Sequence, residues 1–127
     1  MAKSKILKLD NIMYQVKDLD ESIGFYTNVL GLTQVWRDDD RHMIGLKMEK
    51  GEGEIVIQSD PSLPKFDYSF LVEDVELFCK QTKDSGYSVA VDPFDVRCGK
   101  YAVLLDTDKN EIPIIDLTKF GGVPKYD

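Results

Sequence analysis

One histidine, His42, and two cysteines, Cys79 and Cys98, are all that this 127-residue chain holds of the imidazole and thiol side chains. Neither a Ser-His-Asp nor a Cys-His arrangement can be built from a single histidine so far from both thiols. The cysteines have no paired metal spacing and no secretory context, so a buried thiol on a helix and a loop thiol are expected. No glycine-rich phosphate loop precedes a helix. Positive charge is also short: 16 Lys and Arg against 23 Asp and Glu leave a net charge of −7. Nucleic acid and anionic membrane surfaces need clustered cations, so both are excluded as partners. No apolar run approaches the roughly 20 residues of a membrane span. Met1–Lys5 leads directly into alternating sequence, not into an apolar leader, and a cytoplasmic protein is expected.

The chain does have the balance of a globular protein, with 43% hydrophobic and 31% charged residues. Its length suits one well-buried core or two small modules sharing one. The stretch Val16–Leu32 (VKDLDESIGFYTNVLGL) marks a strand end, a helix and a turn back. Asp18 and Glu21 have capping-box spacing, which starts a helix at Leu19. Leu19, Ile23, Tyr26 and Leu30 recur at helical spacing, Phe25 and Val29 widen the stripe, and Gly31 supplies a left-handed stop. Val72–Glu76 repeats the pattern of Val16–Asp20 at an offset of 56 residues. A second stripe, Val75, Phe78, Cys79 and Thr82, runs to a stop at Gly86. The chain reads as a tandem repeat.

Taken in order, Leu9–Val16 is a strand with Ile12, Tyr14 and Val16 toward the helix and Asn11, Met13 and Gln15 on the other face. Thr33–Asp39 and His42–Met48 form a strand pair joined through the polar turn Asp38–Arg41, and Glu54–Ser59 is a further strand. The second half gives a strand at Asp67–Val72, a helix at Asp74–Ser85, a strand starting at Tyr87–Val91, and an irregular loop at Pro93–Lys100. Strands at Tyr101–Asp106 and Glu111–Leu117 follow, separated by the turn Thr107–Asn110. Pro113 lacks a ladder donor, so an irregularity is expected there. The expected fold is α+β: βαβββ modules at 1–60 and 67–117, a linker at 61–66 and a tail at 118–127. With a helix on one side of each, the modules are expected to form a curved mixed sheet around a cleft, helices outside.

Val16-Lys17-Asp18-Leu19-Asp20, Phe25-Tyr26 and Val29-Leu30-Gly31-Leu32, on this repeat, resemble the glyoxalase/bleomycin-resistance/dioxygenase group, the vicinal-oxygen-chelate superfamily, over nearly the whole chain. That resemblance implies a fold and a range of activities. Its members include metal-dependent lyases, isomerases, ring-cleaving dioxygenases and thiol transferases, and also metal-free proteins that sequester antibiotics. Metal-dependent members carry a His early in the first strand and a Glu in the last strand of each module. Carried onto this chain, those positions are Asn11, Val56, Asp67 and Pro113. A divalent ion needs several converging oxygen or imidazole donors, and this set offers one carboxylate and one amide. The reading is therefore metal-free, with no cofactor.

By strand parity the residues expected to line the cleft are Asn11, Met13, Gln15, Glu54, Val56, Gln58, Asp67, Ser69 and Glu111, and all of these but Val56 are expected to bind a ligand. Trp36, Phe66 and Tyr101 add flat surfaces at its mouth, where an aromatic beside carboxylates seats a cationic ring or amine. Trp36 on a half-buried strand also reads as core or dimer packing. His42, beside Asp38, Asp39, Asp40 and Arg41, reads as a turn residue, and the aspartates as a solvated turn or an acidic rim. No catalytic residue is assigned. The expected function is capture of a polar or cationic, antibiotic-like small molecule by a homodimer. The alternatives are a metal-dependent lyase or dioxygenase using Asp67, Glu54 and Glu111, and a non-catalytic interaction module.

Overall fold

Asp18 begins the first helix as its sequence context requires. Its backbone is extended (φ −140°) and its carboxylate accepts the Glu21 N–H at 3.1 Å. In the computed structural model, which describes residues 4–63 and 66–121, the α-helix α1 covers Leu19–Gly24 and gives way to a π-helical turn at Phe25–Val29. The Leu30 N–H reaches back five residues to the Phe25 carbonyl at 3.2 Å, and Gly31 ends the helix at φ +74°. One extra residue in a helical turn rotates everything after it. Leu32, and not Leu30, therefore returns to the core beside Ile23 and Tyr26. The expected stripe is corrected accordingly: Phe25, Val29 and Leu30 are 53%, 67% and 49% exposed. Removing the cap with Asp18→Ala is expected to cost about 1 kcal/mol, read as a lowered urea midpoint with an unchanged slope.

The described residues divide into two units, 10–63 with 66–68, and 4–9 with 69–121. In the first, strands β1 (Lys8–Gln15), β2 (Thr33–Asp38), β3 (Met43–Lys47) and β4 (Glu54–Gln58) lie in the order β2-β3-β4-β1. The β1–β4 pair is parallel and the other two are antiparallel. Ile44, Leu46 and Ile57 are buried with Leu19, and Val16, Ile23, Tyr26 and Leu32 pack on them. Ile12 pairs with Ile55, and Tyr14 with Ile57, on this helix-covered face. Burial pushes the Tyr26 hydroxyl pKa up, with a smaller contribution from Tyr14.

The second unit repeats the plan with β5 (Phe66–Leu71), α2 (Val75–Asp84), β6 (Val89–Asp95), β7 (Lys100–Leu105) and β8 (Glu111–Ile115), its strands ordered β5-β8-β7-β6. Asp74 caps α2 through the Leu77 N–H at 3.0 Å, and Gly86 closes it at φ +89°. Val75, Cys79, Ala102, Leu104 and Ile114 form the core with Val72. Each unit thus has one sheet face covered by its own helix, and the fold is α+β.

Two expectations fail here. Pro93–Asp95 belongs to β6 and not to a loop, because two register shifts against β7 let the strand continue past the proline. Pro113 causes no irregularity against β7: pairing runs unbroken from Tyr101↔Ile115 to Leu105↔Glu111. The Asp116 N–H donates to the Lys100 carbonyl on the β7 side, so by alternation the ring nitrogen of Pro113 points the other way. The registered pairs on that other side, Phe70↔Ile114 and Leu71↔Ile115, lie beyond it. The expected tail begins with a short 3₁₀ turn at Thr118–Phe120, and 122–127 lie outside the described residues, as do 64–65 of the linker.

Candidate functional site

Strand register groups the first unit's helix-free face into rows. Asn11, Glu54 and Lys47 are cross-strand partners, as are Met13, Val56, Gly45 and Trp36, and as are Gln15, Gln58, Met43 and Asp38. Every expected ligand-binding residue of this module stands on this one face. Trp36 crosses from one row to the next: its indole lies over Gly45, where an added Cβ would overlap the ring, and its Nε1–H donates to Glu54 Oε2 at 2.7 Å. The ring is only 7% exposed.

Two of the expected contacts have structural duties. Gln15 Nε2 donates to the carbonyls of Asp60 at 3.1 Å and Leu63 at 3.2 Å. The fully buried Gln58 accepts the Asp60 N–H on its Oε1 at 2.6 Å. Asp60 in turn accepts from the Ser62 hydroxyl and N–H, and these bonds hold its carboxyl below the usual range. These amides therefore fasten the chain after β4. Asn11 Nδ2 donates to Asp10 Oδ2 at 2.9 Å.

In the second unit Ser69 is buried on β5, Tyr101 is half-buried on β7, and Glu111 is exposed at the start of β8. Asp67, on the first-unit part of β5, is half-buried and its Oδ1 accepts its neighbour's N–H at 2.8 Å. Tyr101 pairs with Phe94, their ring centroids 5.4 Å apart. The side chain of Phe66 lies outside the described residues.

The residues at the four metal-ligand positions do not fit a metal. Asn11 and Val56 in the first unit supply one neutral oxygen, and Val56 is buried. Asp67 and Pro113 supply one carboxylate, and Pro113 is buried as well. Among the described residues no group of three or more His, Cys, Asp or Glu could hold an ion. His42 sits in the β2–β3 turn at φ +56°, and its carbonyl accepts the Ser59 N–H. The Cys79 thiol is raised in pKa by burial, which makes it a poor nucleophile. Cys98 donates its S–H to the Asp116 carbonyl at 3.2 Å.

Asp116 was not expected. It is fully buried at the end of β8, where Oδ2 accepts the first N–H of α2, from Val75, at 2.8 Å. Oδ1 accepts from the Lys100 N–H and from the N–H and hydroxyl of Thr118. The one sequence signal was a carboxylate interrupting an otherwise apolar run, Ile112–Leu117. Outside the strand faces, a surface groove of about 540 Å³ is lined by Phe78, Gln81, Asp84 and Tyr87 among others, and it holds none of the expected contacts.

Each half of the chain is thus a βαβββ unit with a helix on one sheet face. The family model for the Glyoxalase/Bleomycin resistance protein/Dioxygenase superfamily matches residues 8–114, and the chain belongs to that superfamily. No curated protein sequence matches it. Among solved structures it is similar to methylmalonyl-CoA epimerase from Mycobacterium tuberculosis, at 19% identity and TM-score 0.63, over 90% of this chain and 89% of that one. A Streptomyces coelicolor methylmalonyl-CoA epimerase in complex with 2-nitronate-propionyl-CoA aligns at 16% and 0.61, over 87% and 98%. A superfamily member from Vibrio splendidus 12B01 aligns at 15% and 0.54, over 84% and 96%. At these identities the likeness is one of fold.

Proposed function

We propose that the protein captures a polar or cationic small molecule without a resident metal ion, in the manner of the bleomycin-resistance members of its superfamily. The observation that carries the reading is the donor chemistry at the four ligand positions, where Asn11, Val56, Asp67 and Pro113 replace an imidazole and carboxylate set. The contacts on the first unit are Asn11, Met13, Trp36 and Glu54. The indole N–H holds the Glu54 carboxylate beside Asn11, which combines an anion, an amide and an aromatic edge on one face. A net charge of −7 favours a cation over a polyanionic acyl-CoA of the kind bound by the Streptomyces epimerase. Capture without turnover needs affinity and shape but no general base, and the position of the one histidine, His42, in the β2–β3 turn supports that reading. This reading includes a cytoplasmic homodimer, which sedimentation of the purified protein checks.

Elemental analysis after dialysis against zinc, nickel, manganese and iron in turn is the test. The expected result is no stoichiometric ion, together with a raised melting temperature when cationic aromatic antibiotics are added. A ligand at 100 times its Kd adds about 2.7 kcal/mol to stability. One tightly held ion per chain would overturn the proposal and favour the lyase or dioxygenase reading, with Asp67, Glu54 and Glu111 as the residues to replace first.

A further inference from the structure

The helix-free face of the second unit is chemically unlike that of the first, and β6 is bent to make it so. Val89 pairs with Leu104 and packs into the core under α2. Register shifts between Val89 and Val91, and again between Val91 and Phe94, each add one residue to β6. A bulge re-aims the side chains that follow it. Val91 and Phe94 consequently face away from the helix, paired with Val103 and Tyr101. Without the second bulge Pro93 would stand opposite Tyr101.

The face that results is graded. Phe94, Tyr101, Ile115 and Leu71 form one row, Val91, Val103 and Pro113 the next, and Leu105 and Glu111 the last. Phe94 is 45% exposed and its ring lies at 46° to that of Tyr101. Four residues of strand separate Ile115 from Glu111, or about 13 Å. At the Glu111 end the hairpin turn adds Asp106 and Asp108 against Lys109 alone. Hydrogen bonds from Asn110, first its side chain and then its N–H, hold the Asp106 carboxyl below the usual range, so that end stays anionic. An apolar aromatic end and a negative end on one face complement one kind of molecule.

We propose that this face binds a flat apolar ring carrying a cationic arm, the ring on Phe94 and Tyr101 and the cation toward Glu111. The proposal rests on the small-molecule capture reading above and specifies the ligand's shape and charge. Isothermal titration with phenylhexylamine and with phenylhexanol, the same molecule with a neutral end, tests it. The amine is expected to bind about threefold tighter than the alcohol, the size of an exposed ion pair. Phe94→Ala should weaken both by about tenfold, and Phe94→Trp should restore them. Glu111→Gln should abolish the amine's advantage and leave the alcohol unchanged. Phe94 is an exposed edge-strand residue, so an unchanged melting temperature will separate lost contact from lost fold. Binding of neither compound overturns the proposal. Binding that is lost in Glu54→Gln but indifferent to Phe94→Ala overturns it too, and leaves the capture reading standing. Retained metal would sink the capture reading by itself, while the Phe94 comparison would still decide this one.

Discussion

Asp116→Ala is expected to cost about 4 kcal/mol, because one buried carboxylate serves four donors. The methyl group leaves the buried Val75 N–H and the half-buried Lys100 N–H without this acceptor, at about 1–3 kcal/mol each, while the donors of exposed Thr118 turn to water. Among the described residues every buried side-chain polar atom has a hydrogen-bond partner, so the variant creates a defect the fold otherwise avoids. Against the roughly 5–15 kcal/mol that holds a domain folded, the protein will be marginal. Asp116→Asn should lose less, about 2–3 kcal/mol, since one oxygen survives while the new amide N–H₂ confronts a donor. Urea denaturation checks both, and an unchanged midpoint for Asp116→Ala would refute this account of the clamp. Gly99→Ala attacks the same clamp from the other side, because its Cβ would overlap Asp116 Oδ1 and the Thr118 nitrogen. The clamp joins the start of α2, the start of β7 and the end of β8, and Tyr101 is the residue after clamped Lys100. Loosening it should therefore disturb the second unit's open face before the unit melts.

What could be read from the sequence was local chemistry. The two capping aspartates, the left-handed stops at Gly31 and Gly86, and the parity that put Asn11, Met13 and Gln15 opposite the helix each depend on a few neighbouring residues. All of them stand in the structure. The donor chemistry at Val56 and Pro113 was equally legible, because a side chain without a lone pair lacks one in any fold. Apart from Pro113, whose ring nitrogen points away from its registered partner strand, the misreadings share a different cause, a single inserted residue. The π turn shifts Leu30 out and Leu32 in, and the bulges in β6 carry Pro93 into a strand and turn Phe94 to the open face. Nothing in a 3.6- or 2-residue period marks such an insertion. Partners distant in sequence were hidden too: the carbonyls fastened by Gln15 lie 45 and 48 residues on. Parity identified the face of Gln15 correctly and could say nothing about what its amide holds.

Gly45→Ala should do to the first unit what Asp116→Ala does to the second, and it connects stability with the candidate site. Trp36 lies where the missing Cβ would be, so even a methyl group must displace the indole. The ring is almost wholly buried, and overpacking a filled site costs about 1–3 kcal/mol. Moving the ring also breaks the 2.7 Å bond from Nε1–H to Glu54, a hydrogen bond to a charged group worth about 1.5–3 kcal/mol. The combined loss is expected near 3 kcal/mol, since the ring will relax in part. Trp36 is the only tryptophan, so its emission reports the displacement directly: a red shift at native concentrations of denaturant is expected in Gly45→Ala. Glu54→Gln separates the two contributions. It keeps the glycine and the packing, leaves a neutral oxygen for the indole, and should shift the emission little while weakening any cationic ligand. If Gly45→Ala left both the midpoint and the emission unchanged, Trp36 would have to be free to leave the strand face. The ring would then be a movable wall of the site instead of the fixed support that orients Glu54.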